Sequence, residues 1–161
     1  MPVIISVVGN TGSGKTTLIV KLVGEFKKKG YKIGTIKHAH NGFDLDKKGK
    51  DSYNHKAAGA DAVMIAGPGK IALIKDEPEN RLAGLEKYFS EMDLVLAEGF
   101  KRENNPKIEV FRSENGVEPL RIKENLIAFV TDSDIDLSVP KFGLDDIEKL
   151  AEMVIEKFII A

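Results

Sequence analysis

The sequence predicts an α/β fold in which a doubly wound, mostly parallel sheet carries helices on both faces. Three observations lead to this prediction. Short aliphatic runs alternate with amphipathic helical patterns, the first run passes through a glycine-rich turn directly into a helix, and several runs are apolar at every position. A strand that is apolar throughout is typical of a parallel sheet covered on both faces. Such sheets bind their ligands at the carboxyl ends of the strands.

The first half of the chain alternates strand and helix and then changes to a hairpin pattern. Residues 16–29 place apolar side chains at helical spacing, and Gly30 follows as a stop signal. Residues 38–51 are polar and aperiodic, which indicates a loop. The predicted elements are a strand at 3–8, a helix at 16–29, a strand at 32–37, a short helix at 52–58, and strands at 62–66 and 71–74 that form a hairpin around Gly67, Pro68 and Gly69.

The second half returns to buried strands and ends in a long amphipathic helix. The predicted elements are a helix over 82–89, strands at 94–97, 107–112 and 126–130, and a helix that starts near Ile147. Within residues 107–112, Ile108 and Val110 alternate with Glu109 and Phe111, as in a partly exposed strand. We therefore expect this strand to offer an edge for pairing.

Composition limits the classes of function. A length of 161 residues is that of one ordinary domain, so a single domain over residues 1–161 is expected. The chain is 42% apolar and 30% charged, which indicates a folded, soluble protein rather than a disordered or membrane protein. Its 24 basic and 25 acidic residues nearly balance, which gives no reason to expect nucleic acid as a partner. The sequence has no cysteine and no signal segment before the first strand, so chemistry on oxygen and nitrogen in the cytoplasm is expected.

Residues 9–16, GNTGSGKT, fit the phosphate-binding P-loop pattern, GxxxxGK followed by Ser or Thr, between a buried strand and an amphipathic helix. Gly12, Ser13 and Gly14 belong to a turn whose backbone N–H groups point at phosphate oxygens, and the helix N-terminus adds a positive dipole end. Lys15 supplies a positive charge to the β and γ phosphates, and Thr16 offers a hydroxyl to Mg²⁺. The motif predicts a P-loop domain that binds a nucleoside triphosphate with magnesium. The alternative is a glycine-rich turn that only joins strand to helix.

Two carboxylates are candidates for the catalytic site. Glu98 ends the apolar strand LVLAE, so we expect its side chain at the same sheet edge as Thr16, where it would hold Mg²⁺ and position water. Asp51 lies in the polar loop with Asp44 and Asp46 and is a candidate for the magnesium or water network. The alternative for each is an ordinary solvated carboxylate.

The end of the last predicted strand carries a candidate for recognition of the base. Asp132 follows that strand, and Pro140 lies in the segment VPKF shortly after it. A carboxylate at this position can accept two N–H bonds from guanine, which adenine does not offer. Asp132 and Pro140 therefore favour GTP as the nucleotide. The alternative for Asp132 is a residue that caps a turn.

Other segments are more specific than the P-loop alone. TIKHAHNGFDLDKKGKDSYNHKAAGAD, DLVLAEGFK and PKIEVFR, together with GNTGSGKTTL, resemble the MobB family of molybdopterin-guanine dinucleotide biosynthesis proteins over about residues 3–131. The resemblance implies a GTP-binding accessory protein with weak GTPase activity, which assists the guanylyltransferase that attaches GMP to molybdopterin. It adds Thr17 to the phosphate loop, molybdopterin as a further ligand and the molybdenum insertion enzyme as a further partner. It also implies a homodimer through extended strands, for which residues 107–112 or the 62–74 hairpin would supply the edge.

Two other functions remain open on the sequence. A P-loop also supports phosphoryl transfer by a small-molecule kinase, although the few arginines and the lack of a long lid lower that expectation. A metallochaperone GTPase would carry metal on His38, His40 and His55, but their irregular spacing and the lack of cysteine favour hydrogen-bonding or phosphate-contacting roles for them. A local basic cluster is a candidate for the phosphate of an anionic pterin, or else a solvated face: Lys101, Arg102, Lys107 and Arg112.

Overall fold

The computed structural model describes residues 1–78 and 81–160, which separate into two compact units. The first unit comprises Met1–His38 and Arg81–Ala161 and contains the P-loop, and the second comprises Ala39–Asn80. Each unit has its own sheet. In the two described ranges, no helix is both long enough and apolar enough to cross a membrane.

The sheet of the first unit has six strands within the described residues, and every neighbouring pair runs parallel. Its spatial order is β2-β5-β1-β6-β7-β8, so the P-loop strand β1 lies near the middle. The strands of this sheet are β1 (Val3–Val8), β2 (Ile33–Lys37), β5 (Leu94–Glu98), β6 (Lys107–Phe111), β7 (Leu126–Thr131) and β8 (Lys141–Phe142).

Helices cover both faces of this sheet. On one face α1 (Lys15–Lys28) packs beside α4 (Ile147–Phe158) over a core that includes Ile5, Leu22, Phe26, Leu96, Ile108, Val130, Leu150 and Val154. On the other face α3 (Leu82–Leu85) places Leu82 against Ala97 and Phe100. Alternate residues of β1 and β5 thus supply both cores, as strands buried on two faces require. The arrangement confirms the predicted doubly wound α/β fold.

The end of α1 follows from its glycine signal. Gly30 adopts a left-handed conformation with φ 90°, which a residue without a side chain reaches at little cost. The N–H groups of Gly30 and Tyr31 then donate to the carbonyls of Lys27 and Phe26, each at 3.1 Å. These two bonds satisfy terminal carbonyls of the helix and turn the chain toward β2.

The second unit contains α2 (Asp51–Ala57) and the strands β3 (Ala62–Gly67) and β4 (Lys70–Lys75). β3 and β4 pair antiparallel in a two-stranded sheet, which confirms the predicted hairpin. Several of its apolar side chains are exposed, including Met64 at 56% and Ile71 at 67%. The hairpin therefore presents an apolar surface.

The prediction that residues 107–112 form a partly exposed edge strand is wrong. β6 lies between β1 and β7, and Ile108, Glu109 and Val110 are all buried. Glu109 is fully buried because its two carboxylate oxygens accept the backbone N–H groups of Arg121 at 3.1 Å and Ile122 at 3.0 Å. A polar side chain in an alternating pattern can thus be buried in the core when backbone groups of a loop form hydrogen bonds with it. Pairing between protomers through this strand is excluded by its position inside the sheet.

Lys107 is the second polar residue of β6 that the sequence misplaces. It is 2% exposed, and its ammonium donates to the carbonyls of Glu103 at 2.6 Å and Asn105 at 3.1 Å. Burial lowers the pKa of Lys107, while the negative charges of Glu124 and Glu103 oppose that shift. Lys107 is therefore not part of an exposed basic cluster, and that part of the prediction is wrong.

Two smaller features differ from the predicted elements. The helix expected over 82–89 divides into α3 and a 3₁₀ helix at Glu86–Phe89. β8 was not among the predicted elements, because a strand of two residues is too short to show a period.

Candidate functional site

The P-loop connects the carboxyl end of β1 to the start of α1. Gly14 precedes the helix in a left-handed conformation with φ 95°. At Gly9 a methyl group would stand 2.4 Å from the carbonyl oxygen of Val110 and 2.5 Å from Ser13 Oγ, so only glycine fits. The hydroxyl of Ser13 is buried and makes no hydrogen bond within the described residues. The loop is thus a tight cradle with an unsatisfied polar atom, as expected of a site built for a polar ligand.

Lys15 is the first residue of α1, and its side chain folds back over the loop. Its ammonium donates to the carbonyls of Gly9 at 3.1 Å and Asn10 at 2.8 Å. Burial lowers the pKa of Lys15, while the carboxylate of Glu98 raises it and the charge of Lys37 lowers it further. The ammonium is therefore held in place at the P-loop beside an acidic group.

Thr16 and Glu98 meet at the sheet edge, as the strand-end argument predicted. Thr16 Oγ1 donates to Glu98 Oε2 at 3.0 Å, although the residues lie 82 positions apart. β5 pairs directly with β1, with Glu98 opposite Val7, so parallel pairing delivers the carboxylate to the P-loop. Hydroxyl and carboxylate oxygens are the ligands that Mg²⁺ prefers, so this donor set fits magnesium.

The turn after β5 fixes the backbone of Glu98. Gly99 and Phe100 both have positive φ angles, 94° and 55°, and the second value is unusual for a bulky residue. The ring of Phe100 stacks on His38 with centroids 4.6 Å apart, and His38 N–H donates to the carbonyl of Glu98 at 3.0 Å. His38 therefore has a structural place beside the site, which the sequence did not reveal.

Asp132 lies immediately after β7 and is already engaged. Its carboxylate accepts the backbone N–H of Ser113 at 2.9 Å and the Ser113 hydroxyl at 3.1 Å. The backbone N–H of Ser113 is the largest cause of a lowered pKa for Asp132. Pro140 precedes β8, and its carbonyl accepts the N–H of Phe129 at 3.0 Å. Base recognition by Asp132 and Pro140 stays a prediction.

Asp51 begins α2 in the second unit, and its catalytic role stays a prediction. His40 and His55 belong to the same unit. Over the residues that the structure describes, no three histidine, cysteine, aspartate or glutamate side chains gather as a metal site.

The structure adds Arg112 to the site, in a way that the sequence did not predict. Its guanidinium covers Gly14: a methyl group on that glycine would stand 3.0 Å from Arg112 Nε. The sequence placed Arg112 in a surface cluster for a pterin phosphate. The signal that could have found it is its position directly after a strand, since β6 pairs with β1 and ends at the same sheet edge.

The chain matches known proteins over most of its length. The family model described as molybdopterin guanine dinucleotide synthesis protein B matches residues 4–132. The molybdopterin-guanine dinucleotide biosynthesis adapter protein of Escherichia coli (strain K12) is 39% identical over 153 residues, covering 91% of this chain and 87% of that protein. The adapter protein of the same description from Haemophilus influenzae is 33% identical over 154 residues, covering 94% and 86%.

Solved structures agree with these matches. The crystal structure of Bacillus subtilis MobB has a TM-score of 0.78 and 29% identity, with all of both chains covered. A MobB homolog from Bacillus stearothermophilus has a TM-score of 0.71 and 28% identity, with 96% of each chain covered. The family match over the P-loop, β5 and β6, together with these structural likenesses, shows that this chain belongs to the MobB family.

Proposed function

We propose that this chain binds GTP with Mg²⁺ at the P-loop, hydrolyses it slowly, and acts as an adapter in molybdopterin guanine dinucleotide biosynthesis. The observation that carries the proposal is the convergence of Lys15, Thr16 and Glu98 at one edge of the sheet. The relatives named adapter proteins of this pathway support the biological role.

Each residue of the phosphate site has a separate task. The backbone N–H groups of Gly12, Ser13 and Gly14 would hold phosphate oxygens, that of Ser13 in exchange for its 3.2 Å bond to the Asn10 carbonyl, and Thr17 extends the set into the first turn of α1. Lys15 places a positive charge at the β and γ phosphates. Its present carbonyl partners keep the ammonium within the loop, so little rearrangement is needed when an anion enters.

Thr16 and Glu98 would hold the metal. Bound Mg²⁺ supplies positive charge that neutralises the phosphates and the charge developing in hydrolysis. In hydrolysis a water oxygen attacks the γ phosphorus, the bond from that phosphorus to the β–γ bridging oxygen breaks, and GDP and phosphate leave. Glu98 orients the water by accepting a hydrogen bond from it, and the proton that the water loses passes to the phosphate product.

Binding is tested by titration calorimetry of Mg·GTP against the wild type and the Lys15→Ala variant. We expect the variant to lose GTP binding while its far-UV circular dichroism stays unchanged. Lys28→Ala, which removes a charge from the exposed end of α1, is the matched control and should bind as the wild type does. Equal GTP affinity for Lys15→Ala and wild type would refute the site.

The choice of base is tested with ATP in place of GTP. If Asp132 and Pro140 border a guanine site, Asp132→Ala should reduce the preference for GTP over ATP. An unaltered preference would place base recognition elsewhere. Because Ser113 already occupies the carboxylate of Asp132, guanine would have to share or displace that partner.

The adapter role requires partners in the cytoplasm. We propose the molybdenum cofactor guanylyltransferase as the first partner, the molybdenum insertion enzyme as a second, and molybdopterin as a ligand that passes between them. Titrating GTP and the pterin cofactor against the protein with and without the guanylyltransferase tests these together. Absence of any complex under GTP-saturating conditions would reject the adapter role while leaving nucleotide binding intact.

The hairpin of β3 and β4 is the proposed dimer surface, since β6 is enclosed. Its exposed apolar side chains Met64, Ile65, Ile71 and Leu73 are 42% to 67% exposed. Replacing Ile71 by Lys should convert a dimer into a monomer in light scattering. A dimer that persists in this variant would move the interface elsewhere.

A further inference from the structure

The segment that follows β6, residues 112–118, lies along the P-loop and is called here the flanking segment. It touches the loop at three places. The Arg112 guanidinium covers Gly14, the Asn115 amide oxygen would stand 3.5 Å from a methyl group on Gly12, and the carbonyl of Glu118 accepts Asn10 Nδ2 at 2.8 Å. The flanking segment therefore forms one wall of the phosphate site.

Arg112 presents a particular edge of its guanidinium to the P-loop. Nε and Nη2 are the atoms that face Gly14, at 3.0 and 3.4 Å from the position of a methyl group there. Nε is buried and donates no hydrogen bond within the described part of the chain. The Nε–Nη2 edge is the one that binds the two oxygens of a phosphate or carboxylate in a bidentate pair.

The opposite side of the guanidinium holds a replaceable partner. Arg112 Nη1 donates to Glu114 Oε1 at 3.2 Å, and the Glu114 side chain is 70% exposed while that of Arg112 is 30% exposed. An ion pair with so exposed a partner is weak and easily exchanged. An anion at the P-loop would offer Arg112 a stronger partner than Glu114 does.

The backbone beside Arg112 is held firmly. Ser113 donates its backbone N–H and its hydroxyl to the carboxylate of Asp132, which ties the start of the flanking segment to the end of β7. Asp132 thus fixes the position from which the Arg112 side chain reaches the P-loop. A preset position reduces the conformational entropy that Arg112 loses on binding a phosphate.

We propose that Arg112 is a second cationic ligand of the polyphosphate beside Lys15, and that Glu114 competes with the phosphate for it. The proposal rests on nucleotide binding at the P-loop. On this proposal Glu114 weakens the affinity for the nucleotide, and it does so by pairing with Arg112.

The test is calorimetry of Mg·GTP with Arg112→Ala, Arg112→Lys, Glu114→Gln and the double variant Arg112→Ala with Glu114→Gln. Arg112→Ala should weaken binding by about tenfold or more, the range of a hydrogen bond to a charged group. Arg112→Lys should recover part of the loss, because it restores the charge without the fork. Glu114→Gln should tighten binding by about two- to fivefold, as expected for release of an exposed ion pair, and should change nothing once Arg112 is alanine.

Matched controls separate this contact from the general charge of the protein. Glu156→Gln on α4 and Arg81→Ala, whose side chain pairs with Glu103, each change one exposed charge of the first unit and should leave the affinity as it is. GTP affinity of Arg112→Ala within twofold of the wild type, while Lys15→Ala abolishes binding, would overturn this proposal and leave the proposed function standing. A Glu114→Gln effect that persists in the Arg112→Ala background would overturn the competition. If Lys15→Ala also bound GTP with the affinity of the wild type, the nucleotide site itself would be rejected.

Discussion

The buried carboxylate of Glu109 should be a main determinant of stability in the first unit. It is 0% exposed and accepts two backbone N–H groups, those of Arg121 and Ile122. Glutamine at this position has one oxygen to accept a bond, and its NH₂ group would face the other N–H. The Glu109→Gln variant therefore loses one bond to a charged acceptor, worth about 1.5–3 kcal/mol.

Removal of the negative charge tends to raise the free energy of unfolding, because burying a carboxylate costs desolvation energy. Two donors already compensate that cost in the folded protein, so the lost bond should dominate and the free energy of unfolding should fall by about 2 kcal/mol. For a chain of this size that corresponds to a Tm lower by about 4–8 °C.

Urea unfolding followed by circular dichroism measures this change, and hydrogen exchange locates it. Amide exchange should accelerate at residues 119–124, where the two donors lie. Glu156→Gln, an exposed glutamate on α4, is the control and should stay within about 0.5 kcal/mol of the wild type. If Glu109→Gln unfolds at the same urea concentration as this control, the carboxylate does not hold the loop.

Three further changes test other parts of the fold. Gly24 lies exposed within α1 with open space around it, so Gly24→Ala should raise the free energy of unfolding by about 0.5–1 kcal/mol in urea titration. Gly34→Ala should lower it in the same assay, because a methyl group there would stand 2.4 Å from Phe89 Cδ1; an unchanged midpoint would show that the ring moves freely. Hydrogen bonds from Ser113 give Asp132 a folded pKa below its unfolded value, so its stabilisation is present above the unfolded pKa and lost as pH falls through the folded pKa. Asp132→Asn should thus be less stable than the wild type at neutral pH, and thermal melts should converge in acid; a constant difference at all pH values would contradict the assignment.

The strand-end rule explains why the meeting of Thr16 and Glu98 in the candidate site could be predicted. Thr16 and Glu98 both follow from one statement, that the carboxyl ends of parallel strands share an edge, and their contact at 3.0 Å agrees with it. The glycines of the P-loop follow from the motif. The P-loop and the end of each strand can be recognised from local patterns, and the parallel sheet then brings together Thr16 and Glu98, which lie 82 positions apart.

The wrong predictions for β6 and the contacts that were not predicted have a common physical cause. In β6 the alternation of apolar and charged residues indicates an exposed face. However, the carboxylate of Glu109 accepts a backbone N–H from Arg121, in the loop after the strand, and the ammonium of Lys107 donates to the carbonyl of Glu103, in the turn before it. Periodicity records which residues are polar and says nothing of which loop will cover them. The stacking of Phe100 on His38 likewise depends on a contact between elements that no local pattern indicates, whereas the position of Arg112 directly after β6 could have identified it.

The buried amine of Lys107 can serve as a chemical probe of local opening in the sheet. An acylating reagent modifies an amine only when it can reach it, and the carbonyls of Glu103 and Asn105 shut this one away. Lys107 would acquire the label at the rate at which that turn opens, long after the lysines on the surface have reacted. Mass spectrometry of the labelled peptide would therefore measure the rate of local opening at the start of β6, with a lysine that the chain already contains as the probe.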